Sequence, residues 1–281
     1  MTDYGEDSVD YARKALQIDP MLLTLLSKSA RILPVLVAAL IIGGCESDTP
    51  DQQTETVASK PCQSLMHREA AFTVCTFPAS ADIRLFHSDP LGQPYLQFDA
   101  LVRELGEQGE TLVFAMNGGM YHEDRSPVGY YRDAYGDRAN LNLNDGPGNF
   151  HLKPNGVFWI KSGRAGVLES EAYAKADIDP TYATQSGPML VIDGEIHPAL
   201  NPEGVSRKRR NGVGVSADGQ TVHFAISDSA VTFHEFASLF QTVLETPNAL
   251  FLDGQVSRLY APSINRNEIG SDLGPIVGIV E

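Results

Sequence analysis

Gly212-Val213-Gly214-Val215-Ser216-Ala217-Asp218-Gly219-Gln220-Thr221-Val222-His223-Phe224-Ala225-Ile226 is the stretch whose reading decides the fold class. Its first six residues satisfy the Gly-x-Gly-x-x-Gly/Ala spacing of a dinucleotide-binding turn, which needs a helix to begin directly after the glycines. Asp218-Gly219 and a second apolar run stand there instead. Asp-Gly between two such runs marks a hairpin, because a tight turn needs positive φ at its central residues. The stretch therefore reads as strand Gly212–Ser216, turn, strand Thr221–Ile226. Met189–Ile192 followed by Asp193-Gly194 signals a second hairpin.

Working outward, Phe72–Phe77, Ile83–Phe86, Thr111–Met116, Val157–Ile160, Ala249–Leu252, Val256–Tyr260 and Gly274–Val280 read as strands, with a further one near Gly129–Arg132. Phe98, Leu101, Val102 and Leu105 keep helical spacing, and Gly106 and Gly109 end that helix. Thr232-Phe233-His234-Glu235 is a capping box that opens a second helix. Its apolar face is Phe233, Phe236, Leu239, Phe240, Val243 and Leu244. Hairpins mixed with two helices exclude a helical bundle and fit poorly with a regular βαβ array. The expected class is α+β: mixed, largely antiparallel sheets with a few packed helices in a single globular domain. Between Tyr121 and Pro154 the chain is rich in Gly, Asp and Asn with little periodicity, and a long irregular loop inside a domain usually carries function.

The 281 residues carry a formal charge of −15, and the one dense basic run is Arg207-Lys208-Arg209-Arg210. Nucleic acid is thereby excluded as a partner class, since phosphate contacts need a basic surface. The apolar run Ile32–Gly44 follows Lys28 and Arg31 and closes on Gly43-Gly44-Cys45, the order of a secretory leader. It is shorter than the ~20 residues a membrane-spanning helix needs. The pattern is similar to a bacterial lipoprotein signal, with Cys45 as the lipidated residue. Residues 1–20 are acidic, the wrong charge for a leader, so translation is expected to start at Met21. The expected organisation is leader 1–44, lipidated cysteine and polar tether 45–69, and domain 70–281. Of the three cysteines, Cys62 and Cys75 remain as a candidate disulfide pair, with no zinc spacing around them.

The chain has no Gly-x-Ser-x-Gly, no P-loop and no His-Glu-x-x-His, so serine-hydrolase, nucleotide-phosphate and zincin readings lack their residues. His122, His151, His223 and His234 show no ligand spacing and read as surface, core or helix-start residues. What remains is a recurring geometry. Apolar strands end at Asn117, at Ser227-Asp228 and at Asp253, while Gln185-Ser186-Gly187-Pro188 and Arg210-Asn211-Gly212 precede others. Singly, each is an ordinary turn residue. Together they are a candidate cleft.

Asn117-Gly118-Gly119-Met120, Gln185-Ser186-Gly187-Pro188, Arg210-Asn211-Gly212-Val213-Gly214 and Leu252-Asp253-Gly254, in that order, resemble the motifs of the phosphodiester glycosidase domain family, over about residues 72–281. That is the family of the mannose-6-phosphate uncovering enzyme. Lys153–Phe158 and Phe233–Phe236 look closest to its bacterial branch. Where the family commonly shows Leu-Asp-Gly-Gly-Gly-Ser, this chain has Gln255 and Val256 for the second and third glycines and keeps Ser257. The resemblance implies hydrolysis of a sugar-1-phosphodiester at the anomeric carbon. Arg210 would hold the phosphate, and Asp253, or failing it Asp228, would serve as the catalytic carboxylate. Asn117, Gly118, Gly119, Gln185, Ser186, Gly187, Gly254 and Ser257 would form the substrate-binding set. The implied partners are a sugar-phosphate or glycan substrate and, through the lipid, a membrane of the bacterial envelope, the protein facing periplasm or exterior. The sequence requires no cofactor. Two alternatives stay open: a non-catalytic glycan-binding lipoprotein, and a phosphodiesterase in which Asp145, Asp228 and Asp253 gather a divalent cation.

Overall fold

The computed structural model describes residues 60–254 and 256–281. The leader, Cys45, most of the tether and Gln255 lie outside the described residues. In chain order the strands are β1 (Cys62–His67), β2 (Ala70–Pro78), β3 (Asp82–Phe86), β4 (Leu112–Asn117), β5 (Tyr131–Asp133) and β6 (Gly136–Ala139). They continue as β7 (Gly156–Lys161), β8 (Arg164–Glu169), β9 (Tyr182–Ser186), β10 (Met189–Ile192), β11 (Glu195–Ile196) and β12 (Asn211–Val215). The last are β13 (Thr221–Ser227), β14 (Asn248–Asp253), β15 (Leu259–Ala261), β16 (Arg266–Asn267) and β17 (Ile276–Val280). The α-helices are α1 (Phe98–Glu107), α2 (Ser170–Lys175) and α3 (Phe233–Thr242).

Three sheets result, of order β1-β2-β13-β12-β14-β10-β11, β16-β15-β4-β17-β3 and β6-β5-β9-β7-β8. Every strand pairing within them is antiparallel. The α+β expectation thus holds in its antiparallel character, in a molecule that sheets dominate. Asp218-Gly219 turns β12 into β13, with Val215 opposite Val222, and Asp193-Gly194 turns β10 into β11. The three sheets meet on one aromatic contact. Phe114 of β4 and Phe224 of β13 lie 5.0 Å apart between ring centres, and Phe158 of β7 stands edge-on to Phe224 at 6.0 Å.

Period-two alternation makes the first sheet apolar on both sides. In β14, Leu250 and Leu252 face the three-sheet core while Ala249 and Phe251 face α3. The helix covers that outer face with Phe236, Leu239 and Phe240, and its capping box is formed by Thr232 and Glu235. Val243, expected on this face, caps the helix C-terminus and is 45% exposed. On the second sheet α1 buries Phe98, Leu101 and Leu105.

Two expectations are corrected. The ordered fold begins earlier than residue 70, because β1 pairs along β2 and places Cys62 opposite Cys75, and the two are disulfide-bonded. The strand read over Val256–Tyr260 starts only at Leu259. The reason lies in the site: Val256 O and Arg258 N, which a strand would use in its ladder, are taken by the side chain of Asn117.

Candidate active site

The ends of β4, β9 and β14 and the start of β12 come together on one side of the core. Asn117 is wholly buried and uses every polar atom of its side chain. Nδ2 donates to Asp253 Oδ2 at 2.9 Å and to Val256 O at 3.3 Å, while Oδ1 accepts from Arg258 N at 2.8 Å. Its own carbonyl accepts from Asn211 Nδ2 at 2.9 Å. Ser257 Oγ lies 3.1 Å from both Asn211 Oδ1 and Asp253 O, and Ser186 Oγ donates to Leu252 O at 3.1 Å. The result is a buried polar frame around the last residue of β14.

Asp253 leaves that frame and enters a cleft of about 340 Å³. Its Oδ1 accepts the Gly254 N–H at 2.6 Å. Burial pushes the carboxyl up to about 6, against the two hydrogen bonds from Gly254 and Asn117, which favour the charged form. Desolvation wins because no cation among the described residues pairs with Asp253: its partners there are two neutral N–H donors. The walls are largely apolar, with Met120, Val128, Phe150, Phe251 and Val256. Val256 adds its isopropyl group to the wall.

The irregular loop supplies another part of the wall. Pro147, Gly148, Asn149, Phe150 and His151 line the same cleft as Asp253 and Gly254. Gln185 pins this loop from below. Its Oε1 accepts Tyr130 N at 3.0 Å and Asn142 N at 2.9 Å, and Nε2 donates to Asn142 O at 2.8 Å and Ser170 Oγ at 3.0 Å. Gly187 allows a closer approach still, since a Cβ there would fall 2.6 Å from Phe150 O.

The proposed binding set therefore divides. Asp253 and Gly254 line the cleft. Asn117, Gln185, Ser186 and Ser257 are buried and spend their polar groups on the protein, so they position the site rather than touch a substrate. Gly118, Gly119 and Gly187 are buried beneath it, Gly118 O accepting from Thr184 Oγ1 at 2.8 Å. These roles were misread because a short polar residue at a strand end looks the same in sequence whether it faces a ligand or a neighbouring strand.

Three further expectations change. Arg210 is 1% exposed and stacks its guanidinium 3.6 Å over the Phe233 ring, with Nε donating to Val231 O and Nη2 to Ser206 O, both at 3.0 Å. Burial without a carboxylate lowers it to about 10. Arg210 thus stands outside the cleft walls and serves packing, not phosphate. Asp228 is paired with Arg266 at 2.7 Å and accepts Thr73 Oγ1 at 2.9 Å, also away from the cleft. Asp145 is exposed and paired with Lys153 at 2.7 Å. The three aspartates thus sit in three different settings, and among the described residues no cluster of three or more His, Cys, Asp or Glu is placed to hold a metal.

His151 is the residue that sequence reasoning passed over. Its signal was the loop, not the histidine: it stands two residues after the Gly-rich run Asp145–Asn149. Tyr121, also on the wall, spends its hydroxyl on Asp272 O at 2.9 Å.

The Escherichia coli K12 uncharacterized protein YigE is 34% identical over 183 residues, 65% of this chain and 71% of that protein. A hypothetical protein from Synechocystis superposes with a TM-score of 0.49 at 14% identity, covering 78% of this chain; the chain spans 61% of that protein's length. A structure from Burkholderia pseudomallei gives 0.49 at 12% identity, covering 75% and 74% of the two chains. The phosphodiester glycosidase family matches residues 110–273, a span that runs from β4 through Asp253 and takes in the whole cleft. The chain belongs to the phosphodiester glycosidase family.

Proposed function

We propose that the protein hydrolyses the glycosidic bond of a sugar-1-phosphodiester, with Asp253 as its catalytic carboxylate. The observation that carries this is the solitude of that group: Asp253 is the one carboxylate on the described cleft walls. Glycosidases that expel a sugar alcohol use two, because the leaving oxygen must be protonated. A phosphate monoester leaves without that help, so one carboxylate suffices. In the step, water attacks the anomeric carbon and gives its proton to Asp253. The bond from that carbon to the phosphate oxygen breaks, its electron pair departing with the phosphate, and the products are a reducing sugar and a phosphate monoester.

We place this activity in the bacterial envelope, with Cys45 lipidated, the segment to about residue 60 as tether, and the rest as the catalytic domain. The Cys62–Cys75 disulfide supports export, since such bonds form outside the reducing cytoplasm. Palmitate labelling of cells expressing the full chain and its Cys45→Ala variant checks the anchor; equal labelling of both removes it. The activity is tested by incubating the full chain and an Asp253→Asn control with a panel of sugar-1-phosphodiesters, nucleotide sugars included, and measuring free reducing sugar. Release by the wild type and loss of at least 1000-fold (~4 kcal/mol) in the control is expected. Saturable binding with no product by either protein would favour a glycan-binding lipoprotein.

A further inference from the structure

We propose that His151, as imidazolium, is the group by which this cleft recognises a phosphodiester anion. The inference deepens the reading above and rests on it for the identity of the substrate. A phosphodiester brings a negative charge to a cleft that already holds Asp253, so a cation must face it. Among the described walls His151 is the one side chain able to carry positive charge. Arg210 is stacked on Phe233 with its donors turned to backbone carbonyls, and the cations of the neighbouring charged cluster, Arg209 and Arg266, are paired with Glu268.

The imidazole is built into place. Its Nδ1 lies 3.0 Å from Asn144 O, an atom that only accepts, so Nδ1 carries the hydrogen and Nε2 is the nitrogen left over. Nε2 has no protein partner among the described residues. Phe150 meets the ring edge-on, centroids 5.0 Å apart at 77°. On another side Gly146 closes over it: a Cβ at that position would fall 2.7 Å from Cδ2 and 2.8 Å from Nε2, so any other residue displaces the ring. The charged and titratable groups around it are Asp145 and Lys153 of its own loop, which neutralise each other at 2.7 Å, and Tyr121 and Asp253 on the walls of the same cleft. A loop held by Gln185 and shaped by Gly146 thus brings one ionisable ring to the cleft that holds the catalytic carboxylate.

The probe is dimethyl phosphate, which keeps one negative charge from pH 5.5 to 8, so any pH dependence of its binding belongs to the protein. Binding is measured on the full chain carrying 15N-labelled histidine, in the Asp253→Asn background to remove the other titrating group. The expected result is a phosphate-dependent shift of the His151 ring resonances, with affinity falling about 10-fold per pH unit once the imidazolium is lost. His151→Gln should lose at least 10-fold in affinity at pH 5.5. His151→Lys should restore binding and abolish its pH dependence, and Gly146→Ala should weaken binding with His151 still present. Equal affinity in His151→Gln, or a His151 signal indifferent to the diester, overturns the proposal. Turnover of the sugar-phosphodiester panel with an unchanged KM in His151→Gln would sink it while leaving the hydrolase standing. Histidine-dependent diester binding without turnover would do the reverse.

Discussion

A carboxyl at the end of a buried strand faces two opposed demands, and Asp253 shows how they are balanced. Water activation needs the charged form, whereas desolvation favours the neutral one and raises the group to about 6. Asn117 and Gly254 limit the rise. The sign for stability follows from the folded value lying above the ordinary 3.8: the unfolded chain ionises first, so stability falls as pH rises from about 4 to about 6 and is flat above. The size is roughly 3 kcal/mol. Asp253→Asn should therefore unfold at a higher temperature than the wild type above pH 6, with the gap closing by pH 4, as read by calorimetry across that range. A constant gap would mean the carboxylate is not desolvated. Wild-type kcat/KM should rise through about pH 6 as the carboxylate forms. Asn117→Ala removes a bond that favours the charge, so its acid limb should move to higher pH. Because Arg258 N is left unpaired in the interior, the same variant should lose about 1–3 kcal/mol in urea unfolding. An unmoved limb would deny Asn117 its positioning role.

Among elements, the loop from Tyr121 to Pro154 and the helix α3 flank the same face of β14. Phe251 and Asp253 line the cleft, and α3 packs beside it on Phe251 and Ala249. Gln185→Leu keeps the volume in β9 but leaves Tyr130 N and Asn142 N without acceptors. Amide exchange should accelerate over Asn142–His151 while β7 and β9 stay protected, and KM should rise more than kcat falls. Unchanged exchange would show that the loop is held by other contacts. The helix and the Asp-Gly hairpins were readable because capping boxes and positive-φ turns are local devices. The missed strands β8 and β9 are ordinary runs such as Arg164-Ala165-Gly166-Val167, made strands by their partners in the third sheet.

At the scale of the molecule, the disulfide fastens β1, the edge strand of the largest sheet, to β2. It closes a loop of 13-residue separation, for which chain entropy gives about 3 kcal/mol. Paired Cys62→Ser and Cys75→Ser substitutions should cost that amount in denaturant unfolding and leave turnover intact, since β1 sits far along the sheet from β14. Loss of turnover would couple the edge to the cleft. The sequence by itself determined the sheet-rich class, the capped helix, the hairpins, the acidic character and the identity of Asp253 at a strand end, because each is written in neighbouring residues. Only the tertiary structure decided that Asn117 holds Asp253, that Gln185 holds a loop, that Arg210 and Asp228 stand apart, and that His151 shares a cleft with Asp253. Those outcomes depend on which strand ends meet across separations of 136 residues, as between Asn117 and Asp253, and on which polar atoms that meeting removes from water.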